Sequence, residues 1–242
     1  MKTALYTRFE LLRTFRNVRF MVLSLGFPLV LFLLVAGPNR NKTLGGIPFP
    51  VYYMVGMVAW GTMSAMLSSG ARIATERAAG WNRQLRITPL GTRSYFQAKV
   101  TSAYALAGLS IALLFLAGVA LGVSMTPSEW LTMTGLVLVG LIPFAVMGIL
   151  LGHLLTPESV GPAIGGVTAL LALLGGAYGP IATSGALKDL VQLLPSYWLV
   201  QAGQVALGGQ AWGREGWLVV AAWTVVLVRL AGWAYRRDTH RV

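Results

Sequence analysis

The chain has no cysteine, two histidines and only seven acidic residues among 242. The first absence excludes disulfides, iron–sulfur clusters and cysteine-based zinc sites. His153 and His240 are too far apart in sequence to supply metal-ligand spacing. Charge as a whole is scarce, at 11% of residues, against about 25% in soluble domains. So few charges cannot clothe a soluble surface of this size. No G-x-x-x-x-G-K-[ST] segment exists, because there are four lysines and none follows a glycine. That excludes a P-loop and ATP binding by that route.

What is abundant is apolar. Hydrophobic residues make up 56% and mean hydropathy is +0.69, so lipid is the expected solvent. A crossing takes about 20 mostly apolar residues. Six segments qualify: Phe20–Gly37, Phe49–Ala71, Val100–Met125, Trp130–Leu155, Val160–Tyr178 and Gly216–Tyr235. Hydrocarbon offers no partner to free backbone groups, so each is expected to be helical. The expectation is an all-α integral membrane protein with six transmembrane helices, forming a single transmembrane domain over residues 1–242. The first apolar run starts only near Phe20, after a long basic segment with no fitting cleavage site, so that span is expected to be retained.

The net charge of +12 sorts by side. Fifteen of the nineteen Lys and Arg fall in the N-terminal segment, the Arg72–Lys99 loop, the tail, or at Arg229 just inside the last span. Arg40, Lys42, Lys188 and Arg214 are the rest. This asymmetry places both termini and the loop in the cytoplasm. It also makes anionic headgroups, not nucleic acid, the expected partner of the basic residues. Arg229 is read as snorkelling to the headgroups rather than as a gate.

Residues 1–19 place Leu5, Phe9 and Leu12 at helical spacing among Arg8, Arg13, Arg16 and Arg19, which predicts an interfacial helix. Residues 179–213 are too polar and too broken for a simple crossing. Two short helices are expected there, Ala186–Leu194 and Ser196–Leu207 with Ser196 as N-cap, forming an outer re-entrant region and a candidate lid. Pro28, Pro143 and Pro162 can kink their helices. Gly118/Gly122, Gly148/Gly152, Gly161/Gly165 and Gly175/Gly179 have small-xxx-small spacing, read as packing within the chain.

The Arg72–Lys99 segment stands out. Glu76 is its only acid, among five arginines and Lys99. Ala78, Ala79, Trp81 and Leu85 offer apolar contacts, Gly80 gives local freedom, and Pro89 ends a short helix. An ordinary positive-inside loop needs the arginines but not Glu76, Trp81 or Pro89. Glu76-Arg77-Ala78-Ala79-Gly80 with Leu85 and Pro89 resembles the cytoplasmic loop of type-2 ATP-binding-cassette (ABC) exporter permeases. Leu194-Pro195-Ser196-Tyr197-Trp198 followed by Ala206-Leu207-Gly208-Gly209 resembles that family's outer re-entrant helices.

The resemblance covers essentially the whole chain, and its implications are specific. Residues 72–93 would form a coupling helix docking in a groove of a separate ATPase subunit, which would hold the ATP and Mg; this chain would carry no cofactor. Glu76, Arg77, Gly80, Trp81, Arg83, Leu85 and Pro89 would be the coupling residues. A second permease would pair with this one. Substrate would pass at the dimer interface, with Tyr52, Tyr53, Met57 and Trp60 as path candidates and Pro195, Tyr197 and Trp198 as the outer lid. The largely uncharged path suits an amphipathic or lipophilic compound. From the residues alone, Glu76 could pair with an arginine of the ATPase or with Arg77 or Arg83 in its own loop.

Three other readings compete. A self-contained carrier needs buried ionisable groups for its coupling ion, and the spans lack acids. A hydrolase using Ser184 and His153 places them on opposite sides of a ~30 Å core, too far for proton transfer. A non-transporting anchor or sensor leaves the candidate lid without a purpose.

Overall fold

A 30-residue helix, Phe49–Ala78, is the axis of the molecule, and most other elements rest on it. The computed structural model describes residues 2–44, 46–81, 90–179, 184–209 and 212–239. In chain order these form α1 (Lys2–Arg16), α2 (Val18–Met21), a π-helical turn (Val22–Gly26) and α3 (Phe27–Ala36). A two-residue ribbon follows, β1 (Thr43–Leu44) antiparallel to β2 (Ile47–Pro48). Then come α4 (Phe49–Ala78), α5 (Thr92–Ala120), α6 (Pro127–Gly140), α7 (Ile142–Leu154) and α8 (Pro157–Gly175). Two short helices, α9 (Ala186–Gln192) and α10 (Pro195–Gln201), lead through a 3-10 turn (Ala202–Leu207) to α11 (Arg214–Thr239).

The fold is all-α, but the expectation of six spanning helices is corrected to four. Among the described residues, only Thr92–Ala120, Pro127–Leu154, Pro157–Gly175 and Arg214–Arg237 are both long and apolar enough to cross a membrane. Phe20–Gly37 fails on continuity. The π-helical turn Val22–Gly26 interrupts it just before Pro28, whose missing N–H starts a new helix. Its apolar stretch Ser24–Ala36 reaches about 20 Å at 1.5 Å per residue, short of a ~30 Å core. Phe49–Ala71 fails on composition. Tyr52, Tyr53, Trp60, Thr62, Ser64, Ser68 and Ser69 dilute its apolar character. These residues suit a helix sheathed by other helices, and most of α4 is indeed buried.

The four apolar helices are bounded by local chemistry. Thr126 and Thr156 cap α6 and α8, each with a proline in the first turn and a reciprocal side-chain bond from Glu129 or Ser159. The break between α6 and α7 at Leu141 precedes Pro143, as a missing donor requires. Leu116, Leu170 and Leu218 project outward from α5, α8 and α11, where lipid is the fitting neighbour. In the 179–213 region the second short helix starts differently from expectation. Leu194, extended at φ −90°, is the N-cap, and Pro195 takes the first turn with its φ already helical. The Ser196 hydroxyl is therefore buried rather than capping, and the helix gives way to 3-10 geometry at Ala202.

Glycines set how closely α4 is approached. A Cβ on Gly70 would sit 1.9 Å from the Gly148 carbonyl oxygen, and one on Gly152 would sit 2.2 Å from that of Gly70. So α4 and α7 cross with their backbones in contact, as small residues in membrane helices allow. Gly118 and Gly175 are also packed within the chain, whereas a Cβ on Gly161 or Gly165 meets nothing within 4 Å. Intrachain packing thus accounts for the Gly148/Gly152 pair but not for Gly161/Gly165.

This contrast is directly testable. Gly70→Ala is expected to lower stability by about 1–3 kcal/mol or more, as overpacking does. Gly161→Ala is expected to cost nothing. Thermal unfolding in detergent measures both, and equal midpoints for the two variants would contradict the close crossing.

Candidate functional site

The structure's most costly arrangement is a buried charge cluster where α1, α4 and α5 meet. Helix α1 turns Leu5, Phe9, Leu12 and Phe15 outward. Its opposite face carries Thr3, Tyr6, Glu10 and Thr14 at spacings of three and four, the repeat of one helix face. Each of these meets α4 or α5. The Thr3 and Ser94 hydroxyls lie 2.8 Å apart, and the Tyr6 and Tyr95 rings are 6.3 Å apart. The Thr14 hydroxyl donates to the Glu10 carbonyl oxygen at 2.8 Å and accepts from the Arg72 guanidinium.

The centre is Lys99, in the second turn of α5 and only 2% exposed. Its ammonium donates to Glu10 Oε1 at 2.7 Å and to Glu76 Oε1 at 2.6 Å. Glu76 Oε1 also accepts from Arg13 Nη1 at 2.7 Å, and its Oε2 accepts from the Tyr95 hydroxyl at 3.0 Å. Arg72 Nη2 lies 3.9 Å from Glu10 Oε1. Both carboxylates are 3% exposed. Charges this deep persist only when paired and hydrogen-bonded. The Tyr6 phenol, beside the Trp81 indole, is pushed up to about 12, mainly by burial and then by the Glu10 carboxylate. It stays protonated at neutral pH.

Of the sequence-derived coupling residues, Glu76 occupies the last turn of α4 and points inward, held by Arg13, Lys99 and Tyr95. Arg77 donates to the Gly152 and Leu155 carbonyl oxygens at 3.0 and 3.4 Å, tying the same turn to the end of α7. Gly80 has φ +70°, and its N–H bonds to the Arg77 carbonyl oxygen, so it closes the helix in the left-handed conformation glycine adopts without strain. Trp81 is half-buried. Arg83, Leu85 and Pro89 lie outside the described residues.

The path candidates separate, because neighbours on a helix point about 100° apart. Met57 is fully buried in the core. The Tyr53 ring stacks between Phe32 and Phe49, with centroids at 6.5 and 5.8 Å. Trp60 packs on Phe27 and Tyr178. Tyr52 lines a cavity, which it shares with Tyr197 of the expected lid. Pro195 starts α10, and the Trp198 indole N–H donates to the Gln192 carbonyl oxygen at 2.7 Å, pinning α10 to α9.

Sequence reasoning missed Glu10, Lys99 and Tyr95 as a unit. The signal was the polar repeat Thr3, Tyr6, Glu10 and Thr14 on the face of α1 opposite its apolar stripe. An acid there needs a buried base, and Lys99 is the fitting one.

A double-mutant cycle tests the cluster. Lys99→Met leaves two carboxylates short of a donor and is expected to cost about 3–5 kcal/mol. Adding Glu10→Gln removes one of those charges and is expected to recover part of the loss, giving a coupling above about 0.5 kcal/mol. Strictly additive unfolding energies would show that Glu10 and Lys99 act independently.

Comparison with known proteins agrees with the membrane architecture. Residues 35–233 match the family model described as ABC-2 family transporter protein. The chain is also similar to the Bacillus subtilis (strain 168) protein named "Putative transport permease YvfS", with 26% identity over 233 residues, covering 95% of each chain. A family match over most of the chain, apolar helices long enough to span, and the absence of a P-loop converge. The chain belongs to the ABC-2 transporter family, as a multi-pass membrane permease without an ATPase motif of its own.

Proposed function

We propose that this chain is the membrane subunit of an ATP-driven exporter, and that a separate P-loop ATPase docks on residues 72–93. The observation that carries this reading is the clasp of Lys99 on Glu10 and Glu76 at the end of α4. There the axial helix ends at Ala78, just before Gly80, and the sequence that follows is basic. The clasp joins α1, the last turn of α4 and the first turns of α5 into one stiff unit. Force applied to the loop would reach the whole length of α4 without being lost in a flexible joint. Glu76 then acts as a positioning residue from inside, rather than as the contact to the ATPase itself.

By the charge asymmetry of the sequence, both termini and this loop face the cytoplasm of the cell membrane. A second permease, identical or related, completes the transporter, and ATP and Mg belong to the ATPase. The expected cargo is an amphipathic or lipophilic compound moved outward.

The test is purification of the tagged chain from native membranes, with mass spectrometry of what accompanies it. A P-loop ATPase is expected with the native chain. It is expected to be lost or uncoupled with Gly80→Trp, which cannot hold φ +70° without strain. If no ATPase co-purifies under gentle extraction and the variant behaves as the native chain does, the exporter reading fails.

A further inference from the structure

At the far end of α4 from the charge cluster, about 36 Å away at 1.5 Å per residue between positions 52 and 76, lies a cavity of about 350 Å³. It is lined by the β1–β2 ribbon, the first turns of α4, the C-terminal end of α8, and α10 with its 3-10 extension. This is the range of small-molecule sites. Leu174 and Leu207 contribute apolar wall, and Tyr52, Tyr197, Gln201 and Gln204 contribute polar groups. Among the described residues, no charged side chain lines it.

The polar groups are uncommitted. The Tyr197 hydroxyl has only a long contact with the Gln192 amide, at 3.5 Å. Tyr52, Gln201 and Gln204 make no side-chain hydrogen bond among the described residues. Each glutamine amide offers two donors and an acceptor, and the phenol offers one donor. Polar residues in an otherwise apolar lining leave hydrogen-bonding capacity that a ligand can use. With no countercharge in the wall, an ionised ligand would be desolvated without compensation.

We propose that this cavity is a binding site for an uncharged amphipathic molecule. Its apolar body would rest against Leu174 and Leu207. Its hydrogen-bonding head would meet the Gln201 and Gln204 amides and the Tyr52 hydroxyl. The proposal rests on the permease reading for its purpose, and it narrows the cargo from amphipathic in general to neutral amphipathic.

The test uses the full chain in lipid nanodiscs, with empty nanodiscs as the partition control. The probe is a dansyl group joined by a hexyl chain to a primary amide, run beside its carboxylate and trimethylammonium counterparts. The neutral probe is expected to bind saturably and the charged ones not to. Gln201→Leu with Gln204→Leu keeps the size and removes the amides, and is expected to weaken binding about tenfold, the effect of one or two hydrogen bonds. Gln204→Glu is expected to invert the preference toward the trimethylammonium probe. This is a gain that a misfolded variant cannot show; thermal unfolding checks each variant. Binding no greater than in empty discs, or a head-group ranking that Gln204→Glu leaves unchanged, overturns the proposal. No ATPase is needed, so the two readings fail separately. Saturable binding without a co-purifying ATPase would remove only the exporter reading. A co-purifying ATPase without probe binding would remove only the site.

Discussion

One ammonium shared by two buried carboxylates holds the polar end of this molecule together. Lys99 reaches Glu10 and Glu76 at once, from α5 to α1 and α4. Removing Lys99 would leave both carboxylates without their shared ammonium in a medium that solvates charge poorly. Arg13, Arg72, Tyr95 and Thr14 supply the further hydrogen bonds and countercharge that make such burial tolerable. Hydrophobic contacts alone are non-directional and would leave α1 free to slide along the bundle. Charge pairing at fixed distances sets its register.

The rest of the architecture follows from the enclosure of α4. Its glycines let α7 lie against its backbone at Gly70, and its side chains of moderate polarity are screened by neighbouring helices. Its two ends differ sharply in chemistry. One is charged, crowded and anchored. The other opens on a neutral cavity closed by short helices that indole hydrogen bonds pin in place. The proposed transmission of force would run along this helix, from the charged end to the cavity.

The local parts of this organisation were legible in the sequence. The long apolar runs of α5, of α6 with α7, of α8 and of α11 announce themselves by composition. The end of α4 is less legible: the second apolar run stops at Ala71, whereas the helix continues to Ala78. What was not legible depends on neighbours distant in sequence or on fine backbone geometry. The π-helical turn Val22–Gly26 breaks an apolar run that hydropathy reads as continuous. The mixed composition of Phe49–Ala71 looks like a span until its burial among other helices is known. Ser196 resembles a cap by residue type, but Pro195 before it takes the first turn and moves the cap two residues earlier, to Leu194. Glu10 and Lys99 are 89 positions apart, and only the packing of α1 on α5 joins them.

That separation also orders the protein's biosynthesis. Glu10 leaves the ribosome 89 residues ahead of Lys99, an interval of roughly 4–18 s at about 5–20 residues per second. Until Arg72 and then Lys99 follow, the Glu10 carboxylate has no buried countercharge and must stay in contact with water. The first helix therefore cannot settle into its final seat as it is made. It has to wait beside the growing chain until α5 begins, so an element made well before its partner is among the last to be locked.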